Sequence, residues 1–197
     1  MLFTIGHSNH ASEEFVHLLK QHEITAVCDV RSQPYSRYNP QFNRETLAGE
    51  LKRAGIEHVF LGDQLGARVD DPSCHREGRV DYEKVAETEF FKDGLDRVRQ
   101  GMCRYRVVLM CAEKDPITCH RMMLVSRYLR HESFDIHHIQ ADGSVETNQE
   151  AEGRLLAKRK MPDETLFHNK DQQLEEAYAR QGRQIALLIR ELEDVDA

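Results

Sequence analysis

The sequence has no long apolar run and no excess of positive charge. Its longest uninterrupted apolar stretch, Val107 to Ala112, is far shorter than the ~20 residues that a membrane-spanning helix needs. We therefore expect no contact with a membrane. The formal net charge of -7 argues against a protein that coats nucleic acid electrostatically, although a local basic groove could still bind it.

The sequence also lacks the features of a disulfide-supported secreted protein. No signal peptide precedes the first apolar residues, and the number of cysteines is odd. We therefore expect a reduced, cytoplasmic protein without structural disulfides. A chain of 197 residues can bury a core without that support. The five cysteines are Cys28, Cys74, Cys103, Cys111 and Cys119.

Apolar strands alternate with amphipathic helices through the first 140 residues. This alternation predicts an α/β fold with three layers, in which helices flank a mainly parallel sheet. We expect the strand order 3-2-1-4-5, with the first and fourth strands as neighbours. Asp115 and Pro116 resemble the start of a helix over 116–131, which would place Cys119 near its first turn. The predicted strands are 2–5, 24–30, 57–61, 106–112 and 134–139.

The composition becomes polar and charged after residue 142. We predict an α/β domain over 1–145, with a crevice at the carboxyl ends of its strands, and a helical extension over 146–197 that packs on it. Thr147 and Glu150 have the spacing of a capping box. A seam with alternating spacings of four and three predicts a helix over 171–192, which we expect to dock on its own domain and leave a monomer. The seam consists of Leu174, Tyr178, Gln181, Ile185, Leu188 and Leu192.

Polar side chains follow three of the predicted strands. In open parallel sheets, ligands bind outside the carboxyl ends of the strands, near the point where the strand order reverses. We therefore expect these side chains to line one crevice. The candidate catalytic residues are Cys119, Glu113 and His7. The candidate substrate-binding residues are Ser8, Asp29, Arg31, Ser36, Cys111, His120 and Arg121.

Each candidate has a chemical and a structural interpretation. A helix amino terminus and Arg121 would favour a thiolate at Cys119, but they would equally favour a bound phosphate or carboxylate. Glu113 could act as a general base or cap the next helix, and His7 could move protons or serve as a hydrogen-bonding scaffold. Cys111 could equally be a small buried residue at a strand end.

Anion recognition is the property that the arginines share. Arg31, Arg37 and Arg121 could hold a phosphate or carboxylate, although Arg31 could also form a local ion pair with its neighbour Asp29. Two aromatic side chains beside Arg37 in the proline-rich loop, Tyr35 and Tyr38, could stack a base or simply pack the loop.

Neither a metal nor a cofactor is predicted. Cys111 and Cys119 are separated by seven residues, which is not a zinc-ribbon spacing, and Cys74-His75 would have to come from a distant loop.

Several short motifs together are similar to a known family. They are Thr4-Ile5-Gly6-His7-Ser8, Asp29-Val30-Arg31 with Pro34 and Ser36, Leu65-Gly66, and Cys111-Ala112-Glu113 followed by Cys119-His120-Arg121. In combination they resemble the domain of unknown function 488. The sequence departs from the family pattern at Ala67, where a second glycine is frequent. The resemblance implies a compact α/β domain over roughly the first 140 residues and leaves the activity open.

Two functions are consistent with these features. The first is an enzyme that acts on a phosphorylated or nucleotide-like anionic substrate by hydrolysis or group transfer, with Arg31 and Arg121 holding the anion. The alternative is a non-catalytic module that binds a nucleotide or a nucleic-acid end. In both cases the expected partner is a small anionic ligand or nucleotide, with nucleic acid as a second candidate.

Overall fold

The computed structural model describes residues 1–132, 134–161 and 169–186. It confirms the predicted α/β fold, a mainly parallel sheet between two layers of helices. The strands are β1 (Leu2–Gly6), β2 (Ala26–Asp29), β3 (Glu57–Phe60), β4 (His75–Arg76), β5 (Arg79–Val80), β6 (Val107–Cys111), β7 (Ile136–Ile139) and β8 (Val145–Thr147). The α-helices are α1 (Ser12–Gln21), α2 (Arg44–Arg53), α3 (Gly62–Leu65), α4 (Tyr82–Glu87), α5 (Glu89–Met102), α6 (Arg127–Leu129), α7 (Asn148–Lys158) and α8 (Lys170–Ile185). Among the described residues, no helix is both long and apolar enough to cross a lipid bilayer.

The main sheet has the strand order β3-β2-β6-β1-β7-β8. All of its pairings are parallel except that of β7 with β8. The predicted order corresponds to β3-β2-β1-β6-β7, because the fourth and fifth predicted strands are β6 and β7. It was wrong in that β6 lies between β2 and β1. The prediction that β1 and β6 are neighbours is correct. All five residues of β6 are buried, and an apolar strand of this kind belongs at the centre of a sheet that is covered on both faces.

Successive residues of β6 point into different halves of the core. Val108 and Met110 pack with apolar residues of α1 and α2. Val107, Leu109 and Cys111 pack with residues of α4, α5, α7 and α8 on the other face. This alternation follows from the two-residue period of a strand. The strand therefore anchors both helical layers and carries Cys111 at its carboxyl end.

The segment after β6 does not form the single helix predicted over 116–131. Pro116–Thr118 is a 3₁₀ turn, and Cys119 has an extended backbone with φ -127° and ψ 142°. Helical structure resumes with the π-helical segment Arg121–Ser126, which continues into α6.

Local hydrogen bonds explain this break. The side chain of Asp115 accepts a hydrogen bond from the Ile117 N–H and so caps only the short turn. The carbonyl oxygen of Cys119 accepts hydrogen bonds from the N–H groups of Met122 and Met123. Cys119 thus precedes a helix that begins later than predicted.

Side-chain caps begin three other helices, and the predicted capping box of Thr147 and Glu150 is among them. Asp81 caps α4, and Thr88 interrupts the helical stretch because its side chain caps α5. The capping box of Thr147 and Glu150 opens α7. The long connection over 62–79, which the sequence did not resolve, contains α3, a 3₁₀ turn and the small hairpin of β4 and β5.

The C-terminal part of the described chain packs on the helical layer beside β6. Leu174 and Tyr178 of α8 are buried in the same core as β6, and the Gln181 side-chain amide donates to the Ile117 carbonyl oxygen at 2.8 Å. The boundary predicted at residue 145 falls within β8, so the sheet continues past it. Leu188 and Leu192, predicted members of the same seam, lie outside the described residues.

Candidate functional site

The site is built where β1, β2 and β6 end side by side. Gly6 pairs in register with Cys111. The absence of a side chain at Gly6 matters because a Cβ there would lie 1.8 Å from the Glu113 carbonyl oxygen. The loop after β6 therefore crosses directly over the end of β1, where the His7 N–H donates to the Cys111 carbonyl oxygen.

This loop brings together four side chains that we call the donor cluster: Cys111, Glu113, Cys119 and His120. The Glu113 Oε2 lies 2.9 Å from the Cys111 Sγ and 3.0 Å from the Cys119 Sγ. The His120 Nδ1 lies 3.5 Å from the Cys111 Sγ and 4.0 Å from the Cys119 Sγ. All four donor atoms lie within 4.8 Å of one another, so the group could hold a metal ion.

Burial divides the donor cluster into two parts. Cys111, Cys119 and His120 are 2%, 1% and 7% exposed. Glu113 is exposed as a residue, but its Oε2 turns inward to both sulfurs. The carboxylate thus connects the buried thiols to the surface.

The electrostatics of the donor cluster favour a negative charge on one sulfur. Burial raises the pKa of the Cys111 thiol, and the Cys119 sulfur adds to this rise. Burial alone would also raise the pKa of Cys119, but the hydrogen bond from Cys111 and the charge of Arg121 hold that pKa well below its usual range. The pKa of His120 is raised because its interactions with Cys119 and Glu113 outweigh the effect of burial. The sulfurs therefore titrate as a coupled pair.

Arg121 lies beneath the donor cluster. It is fully buried, and its guanidinium donates to the main-chain carbonyl oxygens of Glu113 and Lys114 and to the Thr4 hydroxyl oxygen. These contacts hold the loop that contains Glu113 against the end of β1. Arg121 therefore stabilises the site through hydrogen bonds within the protein.

Arg31 has a similar arrangement on the β2 side. Its guanidinium makes two hydrogen bonds with the Asp29 carboxylate, and also contacts the His7 Nε2 and the Phe42 carbonyl oxygen. Burial would raise the pKa of Asp29, but the hydrogen bonds from Arg31 and the proximity of the His58 ring, whose Nε2 lies 3.7 Å from the Asp29 Oδ2, lower it. Asp29 and Arg31 therefore form an internal ion pair at the end of β2.

His7 completes this ion-pair unit. Its ring stacks on Phe42 with a centroid separation of 4.2 Å, and its Nδ1 lies 2.9 Å from the Ser8 carbonyl oxygen. Burial and the charge of Arg31 lower the pKa of His7 to about 4. Both ring nitrogens are engaged within the protein, so the structure places His7 as a support for Arg31.

The two candidate serines lie in loops near the strand ends. Ser8 has a positive φ of 48°, and its N–H donates to the Ala112 carbonyl oxygen. The Ser36 Oγ accepts hydrogen bonds from the N–H groups of Tyr38 and Asn39, which closes its own turn. The observed contacts of both serines are with the loops that surround the site.

A cavity of about 320 Å³ opens at the donor cluster. It reaches Arg31, Cys111, Glu113 and His120 among the predicted site residues. Its other lining residues are Ser32, Gln33, Tyr35, Ala67, Arg68, Tyr82, Ala112, Thr118 and Ile185. The cavity therefore joins the loop after β2, the connection over 62–79 and the donor cluster.

Arg68 is the main feature of this cavity that the sequence analysis missed. Its Nη1 is buried and has no hydrogen-bond partner in the described part of the chain. Its main-chain N–H donates to the Ser32 Oγ at 2.9 Å, and Gly66 packs so closely that a Cβ there would lie 2.2 Å from that oxygen. The motif Leu65-Gly66 was a signal for this loop, but it gave no indication of the neighbouring arginine.

Comparisons with known proteins agree with the motifs. A search of curated proteins and a search of solved structures each found no match. A family model described as "Domain of unknown function DUF488" matches residues 11–128, more than half of the chain, and the matched region contains the donor cluster, Arg31 and Arg68. The chain therefore belongs to the DUF488 family, as the motifs indicated.

Proposed function

We propose that the protein is an enzyme that acts on a phosphorylated or nucleotide-like anionic substrate, by hydrolysis or group transfer. The observation that carries this proposal is the cavity in which an arginine with an unsatisfied donor, Arg68, shares one opening with the donor cluster. A cavity of about 320 Å³ lies in the size range of small-molecule sites.

Arg68 is the residue best placed to hold the anion. A buried donor without a partner costs about 1–3 kcal/mol, which a ligand oxygen would recover. A guanidinium can also bind phosphate or carboxylate through two parallel hydrogen bonds. Arg31 and Arg121 are engaged with internal acceptors, so in our proposal they support the site while Arg68 contacts the substrate.

Tyr35 provides a surface for a nucleobase. It lines the cavity and is 60% exposed, while Tyr38 is 93% exposed, so much of each ring is open to solvent. The Tyr35 hydroxyl donates to Glu45 at 2.8 Å, which restrains the ring. Stacking of a base on an aromatic ring contributes about 1–3 kcal/mol, and this contribution favours a nucleotide over a simple phosphate.

Glu113 is the member of the donor cluster placed to touch a substrate. Glu113 is exposed as a residue, lines the cavity and contacts both sulfurs through its Oε2. Cys119, which would assist as a thiolate, lies behind it and is 1% exposed. In the proposal, substrate therefore meets Glu113 first, and the buried thiols act through it.

The test is a thermal-shift screen of nucleotides, sugar phosphates and short oligonucleotides, followed by product analysis for each ligand that stabilises the protein. A ligand present at 100 times its Kd adds about 2.7 kcal/mol of stability. We expect Arg68→Gln to lose at least tenfold in affinity. Arg53→Gln is the matched control, because Arg53 is 72% exposed on α2.

Three results would contradict the proposal. Stabilisation by an anionic ligand without any product would indicate the alternative, a binding module. If no anionic compound stabilises the protein, or if Arg68→Gln binds as tightly as the wild type, this cavity is not an anion site.

A further inference from the structure

The donor cluster combines four metal-ligating side chains at the end of one strand. We infer that Cys111, Cys119, His120 and Glu113 bind one zinc ion, with Glu113 as the ligand on the cavity side. This inference differs from the metal-free protein predicted from the sequence. The spacing of the two cysteines along the chain gave no zinc signature, but the fold brings both sulfurs to the same carboxylate oxygen.

The separations between the donor atoms fit a tetrahedral ion. Zinc lies about 2.3 Å from sulfur and about 2.0 Å from nitrogen or oxygen, which places its ligand atoms roughly 3.3–3.8 Å apart. The observed separations run from 2.9 Å between the Cys111 Sγ and the Glu113 Oε2 to an upper limit of 4.8 Å across the group. Shifts of less than about 1 Å would therefore complete the coordination.

The surrounding hydrogen bonds orient the donors as a metal site requires. The His120 Nε2 lies 2.9 Å from the Val30 carbonyl oxygen. A protonated Nε2 that donates to this oxygen leaves the lone pair of Nδ1 directed at the sulfurs. Histidine ligands of metals almost always have such a partner on the second nitrogen.

The sulfur and carboxylate ligands are held in place as well. The Arg121 N–H lies 3.4 Å from the Cys119 Sγ, and the Arg121 guanidinium fixes the main chain of Glu113. When a metal binds, both thiols lose their protons, and the resulting thiolates and the Glu113 carboxylate carry negative charge in a region with little water. A divalent ion would neutralise that charge.

The ligand types select the metal. Two sulfurs and an imidazole suit zinc, whereas magnesium and calcium require sites made of oxygen atoms. A disulfide between Cys111 and Cys119 is the competing use of the two sulfurs, but it would leave Glu113 and His120 without the partners that they now share. The convergence of all four side chains therefore favours the ion.

The exposure of Glu113 indicates where a ligand would approach the metal. Catalytic zinc sites have three protein ligands and a fourth position that exchanges. Cys111, Cys119 and His120 are the three buried ligands, and Glu113 is the exposed one. We assign Glu113 as the ligand that an anionic substrate displaces. This assignment rests on the proposed function, whereas the metal site itself does not.

The first test is the metal content of the full chain, purified under reducing conditions and without a metal-affinity step. We expect about one zinc per chain by elemental analysis, and a loss of at least tenfold in zinc content in Cys111→Ser and Cys119→Ser. Cys28→Ser is the matched control, because Cys28 is also buried in a central strand but lies outside the donor cluster. Glu113→Gln should retain the ion with reduced affinity.

A second measurement covers the case in which the cysteine variants do not fold. Cobalt added to the metal-depleted wild type should give a thiolate-to-cobalt charge-transfer band and raise the Tm. Reduced wild-type protein that contains no stoichiometric zinc and responds to neither zinc nor cobalt would overturn the inference. So would a Cys111–Cys119 disulfide that persists under mild reduction, or another metal at one per chain. Zinc without binding of any anion would contradict only the proposed function.

Discussion

The carbonyl oxygen of Glu113 occupies the space that a side chain at Gly6 would need, since a Cβ there would lie 1.8 Å from it. Gly6→Ala should therefore displace the loop that carries Glu113. We expect it to lower the free energy of unfolding by at least about 2 kcal/mol, as overpacking against a fixed backbone does, and to weaken zinc binding. Denaturant unfolding and metal analysis would measure the two effects.

Gly49→Ala is the control for that substitution. Gly49 lies within α2, and a Cβ there would meet nothing within 4 Å. Alanine in a helix interior should stabilise the protein by about 0.5–1 kcal/mol. Equal unfolding free energies for the Gly6 and Gly49 variants would show that the loop can move away from β1 without cost.

His138 should make the stability depend on pH. Its Nδ1 lies 2.8 Å from the Thr4 hydroxyl, and its Nε2 lies 3.2 Å from the Asn148 side-chain oxygen. Burial and the charge of Arg121 lower its pKa from 6.5 to about 3. Between these two values the unfolded chain binds a proton that the folded protein does not bind, so stability decreases as the pH falls.

His138 can change the free energy of unfolding by at most about 1.4 kcal/mol per pH unit. His138→Gln should lower stability at pH 7 but flatten the pH dependence between about 6 and 4, as urea unfolding at several pH values would show. His17→Gln, at an exposed position on α1, is the control. Because the pKa of His7 is also lowered, the His138 variant should retain part of the dependence of unfolding free energy on pH. If this dependence is unchanged in the variant, His138 does not contribute to it.

The periodicity of apolar residues predicted most of the fold. The five parallel strands and the capped helices follow from short-range signals that the sequence contains, such as the capping box of Thr147 and Glu150. The strand order does not, because the positions of β6 and β1 depend on which strand best fills the centre of the sheet. The break at Cys119 was also missed, because the Asp115 cap and Pro116 are compatible with a turn as well as with a helix.

The candidate site was predicted as a set of residues but not as a set of contacts. Cys111, Glu113, Cys119 and His120 do converge. The guanidinium groups of Arg31 and Arg121, by contrast, are used internally, and Arg68 from a distant loop lines the cavity and has an unsatisfied donor. A sequence shows that an arginine is present, but the partners of its guanidinium depend on packing between segments far apart in the chain. Arg68 could therefore not be distinguished from the other arginines by pattern alone.

The last prediction concerns α8, whose apolar face packs on the rest of the protein. Tyr178 is fully buried, and its hydroxyl donates to Glu152 at 3.0 Å. Tyr178→Ala should lower the free energy of unfolding by about 3–5 kcal/mol, as is typical when a large aromatic side chain is removed from a core. Arg180→Ala, at an exposed position of the same helix, should change it by less than about 0.5 kcal/mol.

Truncation after Asn169 tests the role of the whole helix. We expect a lower Tm and greater exposure of apolar surface without a change in oligomeric state, because the buried face of α8 contacts its own chain. The truncation would also remove Ile185 from the wall of the cavity, so ligand affinity should fall even where the protein stays folded. Light scattering that showed a dimer before truncation and a monomer after it would instead identify α8 as an association element.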